Sequence, residues 1–237
     1  MNESGEQLLD DVYEAFIANG AYMFNATRLA PSEAEHARRY YDFMRPPSGS
    51  TIVDMGCGSG EYGNRLQQFD STLRVINITN HAKMISYMQA RHRECIYTSY
   101  EHTTLPDKFA DIVMFNESIG YIDLPIVLAE TARIIKDGGL LVIKDFSITD
   151  PNTDRLALDN WGYFIRQPAE FIHAASQAGF SVESLIHPPI YIKHWYDLMD
   201  NSEAIKQSAL QHDPNGLPLC TVLYRFIKEG LNGRADD

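Results

Sequence analysis

The chain contains a short glycine-rich run placed between an apolar strand-like segment and a helix-like segment. The run Asp54–Gly60 reads DMGCGSG; residues 50–53 before it are largely apolar, and Glu61–Phe69 after it has a helical pattern. Glycine at every second position lets the backbone turn tightly and approach a ligand, and the first N–H groups of the helix can donate hydrogen bonds to that ligand. The run therefore predicts a strand, a tight turn and a helix that together bind a nucleotide-like molecule.

The order of residues in this run separates it from the dinucleotide fingerprint G-x-G-x-x-G. Here the acidic residue comes first, at the strand end, and every second residue is then glycine. The run resembles the nucleotide loop of class I S-adenosylmethionine (SAM) methyltransferases, which implies SAM binding by Asp54, Gly56, Gly58 and Gly60. From the motif alone, an ordinary glycine-rich turn and an NAD site are the alternatives.

Strand and helix patterns alternate through the centre of the chain, which predicts an α/β fold of the Rossmann-like, doubly wound type. In such a mostly parallel sheet with helices on both faces, ligands bind at the edge formed by the carboxyl ends of the strands. The predicted strands are Thr51–Met55, Leu73–Ile78, Glu94–Thr98, Ala110–Phe115, Leu140–Phe146, Phe180–Ile186 and Leu219–Lys228. The predicted helices are Ser32–Met44, Glu61–Phe69, His81–His92, Asp123–Lys136 and Pro168–Ala178.

We expect the 237 residues to form a single domain with three parts. Residues 1–47 are expected to be a helical lid, because Leu8, Leu9, Val12, Phe16 and Ile17 share one helical face before the helix at Ser32–Met44. Residues 48–150 are expected to be the SAM-binding core, and residues 151–237 the substrate-side helices and terminal strands.

Composition excludes several classes of function. The net charge of −12 argues against nucleic acid as a partner, because binding to phosphate backbones depends on Lys and Arg. No signal-like segment and no apolar run of membrane-spanning length is present, so we expect a cytoplasmic protein without membrane insertion. Three cysteines at wide spacings, Cys57, Cys95 and Cys220, predict neither a disulfide framework nor a zinc site.

Further cofactor-binding candidates follow the second, third and fourth strands. The second strand lacks the acid that usually holds the ribose, which leaves Asn77, Thr79 or Asn80 for neutral hydrogen bonds; a helix cap is the alternative for Thr79 or Asn80. Glu101, with His102 beside it, follows the third strand, where a carboxylate can accept a hydrogen bond from the adenine amino group. A solvated loop acid is the alternative for Glu101.

The stretch from Phe115 to Leu124 reads FNESIGYIDL and follows the fourth strand. Asn116 and Glu117 would lie at the carboxyl edge of the sheet, where Glu117 faces the sulfonium and its methyl group. The alternative is a first-turn helix acid, favoured by the helix dipole if a helix begins at Ser118.

With this stretch at its centre of interest, the chain resembles the prenyl diphosphate C-methyltransferases over about residues 50–146. Geranyl diphosphate C-methyltransferase typifies this family. The matching residues are the Asp54–Gly60 loop, Ile78-Thr79 with Ala82, Asn116-Glu117-Ser118, Tyr121-Ile122-Asp123-Leu124 and Gly138-Gly139. The resemblance implies that Glu117 is the catalytic base, with Tyr121 beside it and Phe164 facing a carbocation. It also implies Mg²⁺ together with the diphosphate.

By the same resemblance, aromatic and polar residues on both sides of the core are candidates for substrate binding: Tyr22, Asn25, Arg28, Tyr163, Tyr191 and Tyr196. His81 and Met84 replace the Ser and Gln common in the family, and the C-terminal part looks shorter, which leaves room for a five-carbon diphosphate.

The expected function is transfer of a methyl group from SAM to an alkene carbon of a short prenyl diphosphate, of the isopentenyl or geranyl class. Aromatic rings are needed for this chemistry because they attract the carbocation that forms. A small-molecule O- or N-methyltransferase and a non-catalytic SAM-binding module are the alternatives. A homo-oligomer is compatible with the sequence.

Overall fold

The described residues form one seven-stranded sheet in the strand order β3-β2-β1-β4-β5-β7-β6. This computed structural model describes residues 28–148, 163–188 and 219–230, together with Ile17. The strands are β1 Thr51–Met55, β2 Arg74–Thr79, β3 Cys95–Tyr97, β4 Ala110–Asn116, β5 Ile135–Ile148, β6 Phe180–Ile186 and β7 Leu219–Lys228. The helices are α1 Glu33–Met44, α2 Glu61–Phe69, α3 Ala82–Gln89, α4 Leu124–Ile134 and α5 Pro168–Gln177, with a 3-10 turn at Ile119–Tyr121.

Strands β1 to β5 are parallel, and β7 runs antiparallel between β5 and β6. The chain leaves β1 toward β2 and β3 on one side, and returns to β4 on the other side of β1. This reversal of strand order opens a crevice between the carboxyl ends of β1 and β4, the position where open α/β sheets bind ligands. The predicted fold class is confirmed.

Alternate residues of the strands build a core on each face of the sheet. Val53 and Met55 of β1 pack with buried residues of α4 and α5 on one face. Ile52 packs with buried residues of α1 and α2 on the other. The loops that follow β1 and β4 therefore start from a sheet that is covered on both sides, and this holds the ends of their backbones in place.

Helix α1 is one of these covering layers. Ala37, Tyr40 and Met44 are fully buried, and the Tyr40 hydroxyl donates a hydrogen bond to the Phe115 carbonyl at 3.2 Å. The apolar face of this helix thus packs against the sheet, and a lid formed by residues 1–47 stays a prediction. The first predicted helix, apart from Ile17, lies outside the described residues, as do Tyr22, Asn25, Tyr191 and Tyr196.

One boundary between a helix and a strand was predicted wrongly. The sequence predicts that Asp137 and the glycines after it end a helix, yet α4 ends at Ile134 and β5 begins at Ile135. Ile135 is fully buried and pairs with Ala110 of β4, so strand pairing takes over before the glycines. Gly138, with a φ of +74°, instead lies in a register irregularity of β5.

Within the part of the chain that the structure describes, none of the helices combines the length and the apolar character needed to span a bilayer.

Candidate functional site

The glycine loop is tied to the second strand by its own backbone. The N–H groups of Gly56 and Cys57 both donate to the Ile78 carbonyl of β2, at 2.9 and 3.1 Å. The loop then closes by a bond from the Gly60 N–H to the Cys57 carbonyl at 2.9 Å. Gly60 caps α2 without a side chain, so no side chain occupies the first N–H groups of that helix. These groups lie beside the crevice and suit a polar ligand.

Two of the glycines are required by close packing inside the protein as well as by backbone conformation. A β carbon at Gly56 would lie 2.6 Å from Cβ of Ser118, and one at Gly60 would lie 2.7 Å from Sδ of Met88. Gly56, Gly58 and Gly60 all have positive φ values of +74°, +54° and +71°, which favour glycine. The glycine pattern thus serves the loop's fit against β4 and α3, in addition to any approach to a ligand.

Asp54 carries a buried carboxyl group at the end of β1. It is 2% exposed, and burial raises its pKa to about 7. Among the described residues, neither a hydrogen bond nor a cation offsets this cost. A buried carboxylate of this kind suits a cationic ligand group, and SAM carries an ammonium group on its methionine part. The residues present therefore fit the predicted cofactor.

Arg93 holds the glycine loop from outside. Its guanidinium donates to the Ser59 carbonyl at 2.6 Å and forms an ion pair with Glu61 at 2.5 Å. Both contacts are mostly shielded from solvent, since the side chains of Arg93 and Glu61 are each 13% exposed. Arg93 lies just after α3, and sequence reasoning missed it because nothing local in the sequence links it to a loop thirty residues earlier.

Among the predicted ribose residues, Asn77 and Thr79 are both buried in β2. The Asn77 amide Nδ2 donates to the Glu94 carbonyl at 2.9 Å, while its Oδ1 is buried without a hydrogen-bond partner among the described residues. Thr79 lies at the end of β2, and its hydroxyl accepts a hydrogen bond from the His81 N–H at 3.2 Å. A contact between Thr79 and the cofactor ribose stays a prediction. The contact that the structure shows is the hydrogen bond with His81, at the start of α3.

The predicted adenine residues lie in an exposed turn after β3. Glu101 accepts a hydrogen bond from the Ser99 hydroxyl at 3.1 Å, and His102 is also exposed. Between this turn and the crevice lies Tyr100, which is buried and donates from its hydroxyl to the Ser118 carbonyl at 2.6 Å. This bond brings the turn to the same edge as the loop after β4, as the adenine prediction requires.

Glu117 lies in the loop directly after β4, and its backbone is in the left-handed region with a φ of +53°. A residue other than glycine seldom adopts this conformation, and strain of this kind is concentrated at functional sites. The alternative of a first-turn helix acid is not what the structure shows, because only the short 3-10 turn follows Ser118. The side chain of Glu117 is 2% exposed and forms an ion pair with Lys144.

Lys144 and Asp145 of β5 place two further charged groups beside Glu117. Lys144 is fully buried, and burial lowers its pKa while the charge of Glu117 opposes that shift. Burial raises the pKa of Asp145 to about 7, although its carboxylate accepts hydrogen bonds from the Tyr163 hydroxyl and the Phe146 N–H. Sequence reasoning missed both residues, yet a Lys-Asp pair inside an otherwise apolar strand was a usable signal.

The aromatic residues predicted near the reacting centre are only partly brought together. Tyr121 packs edge-to-face on Tyr163 with ring centroids 4.7 Å apart, and Tyr163 also contacts Phe146. Phe164, in contrast, is 53% exposed and has the Arg166 guanidinium 5.2 Å from its ring centroid. The structure therefore places Tyr163, and not Phe164, in the buried aromatic cluster.

Two predicted polar residues are engaged within the protein. Arg28 is buried and forms an ion pair with Glu33 at 3.0 Å. Asn116 ends β4 in register with Lys144, which places it at the carboxyl edge of the sheet.

Comparison with known proteins agrees with this geometry. Residues 53–143 match the family described as "Methyltransferase domain", a segment that contains the end of β1, the glycine loop and the strands β2 to β4. Malonyl-[acyl-carrier protein] O-methyltransferase of Pectobacterium atrosepticum is 27% identical over 117 residues, which are 48% of this chain and 46% of that protein. Dimethylglycine N-methyltransferase of Parasynechococcus marenigrum is 23% identical over 209 residues, or 81% of this chain and 73% of that protein. The chain thus spans less than half of the first relative and about three quarters of the second.

Among solved structures, geranyl diphosphate C-methyltransferase from Streptomyces coelicolor, in complex with Mg²⁺, geranyl diphosphate and S-adenosyl-L-homocysteine, has a similar fold. The TM-score is 0.74 at 16% sequence identity, with 96% of this chain and 98% of that chain covered. At this identity the likeness establishes the fold. The matched relatives include O-, N- and C-methyltransferases, and what they have in common is the methyltransferase domain.

The first prediction concerns the buried charge of Asp54. Because the pKa is raised to about 7 in the folded protein, the folded state keeps a proton that the unfolded chain releases above about pH 4. The stability contributed by this proton is present at low pH and is lost as the pH rises to 7. Asp54→Asn should therefore stabilise the ligand-free protein at pH 8 by about 2 to 4 kcal/mol, and weaken SAM binding.

Urea unfolding at pH 5 and pH 8 measures the first effect, and calorimetry with SAM the second. Part of the pH dependence should survive in the variant, since Asp145 titrates in the same range. Equal stability of wild type and Asp54→Asn at pH 8 would contradict a buried, uncompensated carboxylate.

The second prediction concerns Arg93 as the outer support of the glycine loop. Arg93→Gln removes the bonds to Ser59 and Glu61, so affinity for S-adenosylhomocysteine should fall about tenfold, the equivalent of about 1.4 kcal/mol. Arg74→Gln is the matched control, because it breaks an exposed ion pair with Glu94 at the opposite end of β2. Calorimetric affinities that fall equally in both variants would remove the loop-specific role of Arg93.

Proposed function

We propose that this chain, of which residues 53–143 match a methyltransferase domain, methylates an alkene carbon of a short prenyl diphosphate. Substrates of the isopentenyl or geranyl diphosphate class fit the proposal. In this reaction Glu117 acts as the base that removes a proton after methyl transfer, and the products are S-adenosylhomocysteine and a methylated prenyl diphosphate.

The observation that carries the proposal is the placement of Glu117. Its carboxylate is buried at the carboxyl end of β4, next to the crevice where strand order reverses, and is ion-paired with Lys144. A buried ionised carboxylate is costly unless it is paired, and Lys144 is a cationic partner present here. A charged acceptor beside the expected position of the sulfonium is what deprotonation of a carbocation needs.

Methyl transfer and loss of a proton are two successive steps. The alkene π electrons form a bond to the methyl carbon, and the bond from that carbon to the sulfonium sulfur breaks and leaves its electrons on sulfur. A carbocation remains on the neighbouring alkene carbon. Glu117 then accepts a proton from a carbon next to the cation, and the electrons of that C–H bond restore a double bond.

The buried rings near Glu117 support this chemistry. Tyr121, Tyr163 and Phe146 form a connected cluster. A β carbon added to Gly120 would lie 2.2 Å from Cε1 of Tyr163, so glycine at this position lets the ring approach the loop after β4. Aromatic faces attract cations, and the attraction strengthens where water is excluded. This cluster takes the role that the sequence assigned to Phe164.

The described residues contain no preformed cluster of metal ligands. No group of three or more His, Cys, Asp or Glu side chains in residues 28–148, 163–188 and 219–230 is arranged to hold a metal ion. Magnesium therefore rests on the resemblance alone, and no step of the proposed reaction uses it. The tyrosines predicted to line the substrate, apart from Tyr163, lie outside these residues.

A small-molecule O- or N-methyltransferase is the second candidate. The observation in its favour is the similarity to a malonyl-carrier O-methyltransferase and a dimethylglycine N-methyltransferase. Such a reaction needs a base for a hydroxyl or amine proton but no partner for a carbocation. A SAM-binding module without catalysis is the third, and it would bind SAM without turnover.

The third prediction separates these candidates. The protein with methyl-labelled SAM should methylate isopentenyl, dimethylallyl or geranyl diphosphate, and the label should appear on carbon in the extracted product. Addition of a chelator tests whether magnesium accompanies the diphosphate. Labelling of malonyl thioesters or of glycine derivatives instead, with all prenyl diphosphates inert, would establish the second candidate.

The fourth prediction concerns Glu117 directly. Glu117→Gln preserves the shape of the side chain but removes the base, so turnover should fall about 100-fold or more while S-adenosylhomocysteine affinity changes little. Glu183→Gln is the control, because it makes the same change in a partly exposed ion pair between Glu183 of β6 and Arg225 of β7. A folded Glu117→Gln enzyme with the turnover of the control variant would exclude Glu117 as the base.

A further inference from the structure

Lys144 is a buried cation that the proposed reaction has not yet used. It lies near the carboxyl end of β5, paired in register with Asn116 of β4, and its side chain is fully inaccessible. Two contacts join it to Glu117. Its ammonium group binds Oε1 of Glu117, and its carbonyl accepts the Glu117 backbone N–H at 2.8 Å.

Stability alone does not account for a lysine at this position. The preceding residues of the strand, Leu141, Val142 and Ile143, are fully buried and apolar. Replacing a buried ion pair with apolar residues of similar volume is often neutral or stabilising, because desolvation cancels most of the Coulomb attraction. The protein therefore retains at this site a buried ion pair, although two apolar side chains of similar volume could replace the pair without loss of stability.

The charged and titratable groups around the pair come from several elements. Asp145, next in β5, interacts with both members, and Tyr163, which precedes α5, donates to Asp145 and interacts with Glu117. From α1, His36 faces Lys144; burial first, then Lys144 and Arg28, lower the pKa of His36 to about 2. His36 is therefore neutral and does not compete with Lys144 for the carboxylate.

We infer that Lys144 is the positioning residue for Glu117: its ammonium group holds the carboxylate ionised and in one orientation at the methyl-transfer site. The inference rests on the proposed role of Glu117 as the base. Lys144 keeps its own proton throughout, while Glu117 gains one from the substrate carbon. Glu117 combines a left-handed backbone after β4 with a side chain that reaches Lys144 of β5.

The fifth prediction compares Lys144→Met with wild type across pH 6 to 10, using the substrate that gives turnover. Without the ammonium group, the buried carboxyl group of Glu117 loses its cationic partner, so it should take up a proton at neutral pH more readily than in wild type. At pH 7, kcat should fall about tenfold or more, and it should recover as rising pH removes that proton. KM for SAM should change little, and Lys144→Arg should restore the wild-type profile.

Lys136→Met is the matched control. It makes the same substitution in the same strand, but it breaks an exposed ion pair with Asp111 at the other end of β5. The control should keep the wild-type pH profile. If both variants show the same pH profile as wild type, Lys144 has no positioning role.

A second measurement does not depend on which substrate the enzyme uses. The infrared spectrum of Lys144→Met at pH 7 should show a protonated carboxylic acid band in addition to those of Asp54 and Asp145, whose pKa values are about 7. This additional band should disappear in Lys144→Met/Glu117→Gln. If Lys144→Met does not fold, Lys144→Gln, which keeps a donor without the charge, takes its place. Absence of this band from the folded variant would overturn the inference, even if the prenyl diphosphate assay succeeds.

The turnover of the double variant Glu117→Gln/Lys144→Met tests whether Lys144 acts through Glu117. In the Glu117→Gln background, Lys144→Met should cause little further loss of kcat, because the residue on which Lys144 acts is already disabled. A further loss of tenfold would show that Lys144 acts elsewhere. If no prenyl diphosphate is turned over, the proposed substrate fails, while the infrared result still decides the role of Lys144.

Discussion

The contact between the loop after β1 and the loop after β4 is the constraint on which the rest of the site depends. The Ser118 hydroxyl donates to the Met55 carbonyl at 2.6 Å, and the Ser118 carbonyl accepts from Tyr100 at 2.6 Å. Gly56 has no β carbon, and only for that reason can Ser118 approach so closely. The segments that follow β1, β3 and β4 are thereby held together at the carboxyl edge. Glu117 lies directly before Ser118, where they meet.

The position of that junction explains the unusual backbone of Glu117. Asn116 ends a paired strand and Ser118 is fixed by two buried hydrogen bonds, so the residue between them must reverse direction. The left-handed conformation accomplishes this in one residue. Its strain of about 1 kcal/mol or more is tolerated because the flanking contacts determine the path of the chain.

The site also contains several buried charged side chains. Asp54, Glu117, Lys144 and Asp145 are all at most 9% exposed, in a protein whose other described ion pairs are mostly at the surface. Each buried charge is costly unless a partner compensates it. Glu117 and Lys144 compensate each other, and Tyr163 supports Asp145. Asp54 has no such compensation among the described residues, which is why it fits a cationic cofactor group.

The sequence alone predicted much of the fold. Strands β6 and β7 lie at the predicted residues, and the glycine run, the alternation of strands and helices and the position of Glu117 were all readable from local patterns. These features depend on periodicity and on backbone preferences of glycine, which act over a few residues. The helix end near Gly138 failed because pairing with β4, a distant partner, outweighed the local stop signal.

Only the tertiary structure decided which side chains meet at the edge of the sheet. Lys144 reaches Glu117, Arg93 reaches Ser59, and Tyr163 replaces Phe164 in the aromatic cluster, all across large distances along the chain. The sequence determined that a strand, a tight glycine turn and a helix would form in that order, because the backbone preferences of these residues are local. This arrangement suits a nucleotide-like ligand. The partner of a buried charge is selected by the order and register of the strands, and that order results from packing of the whole sheet.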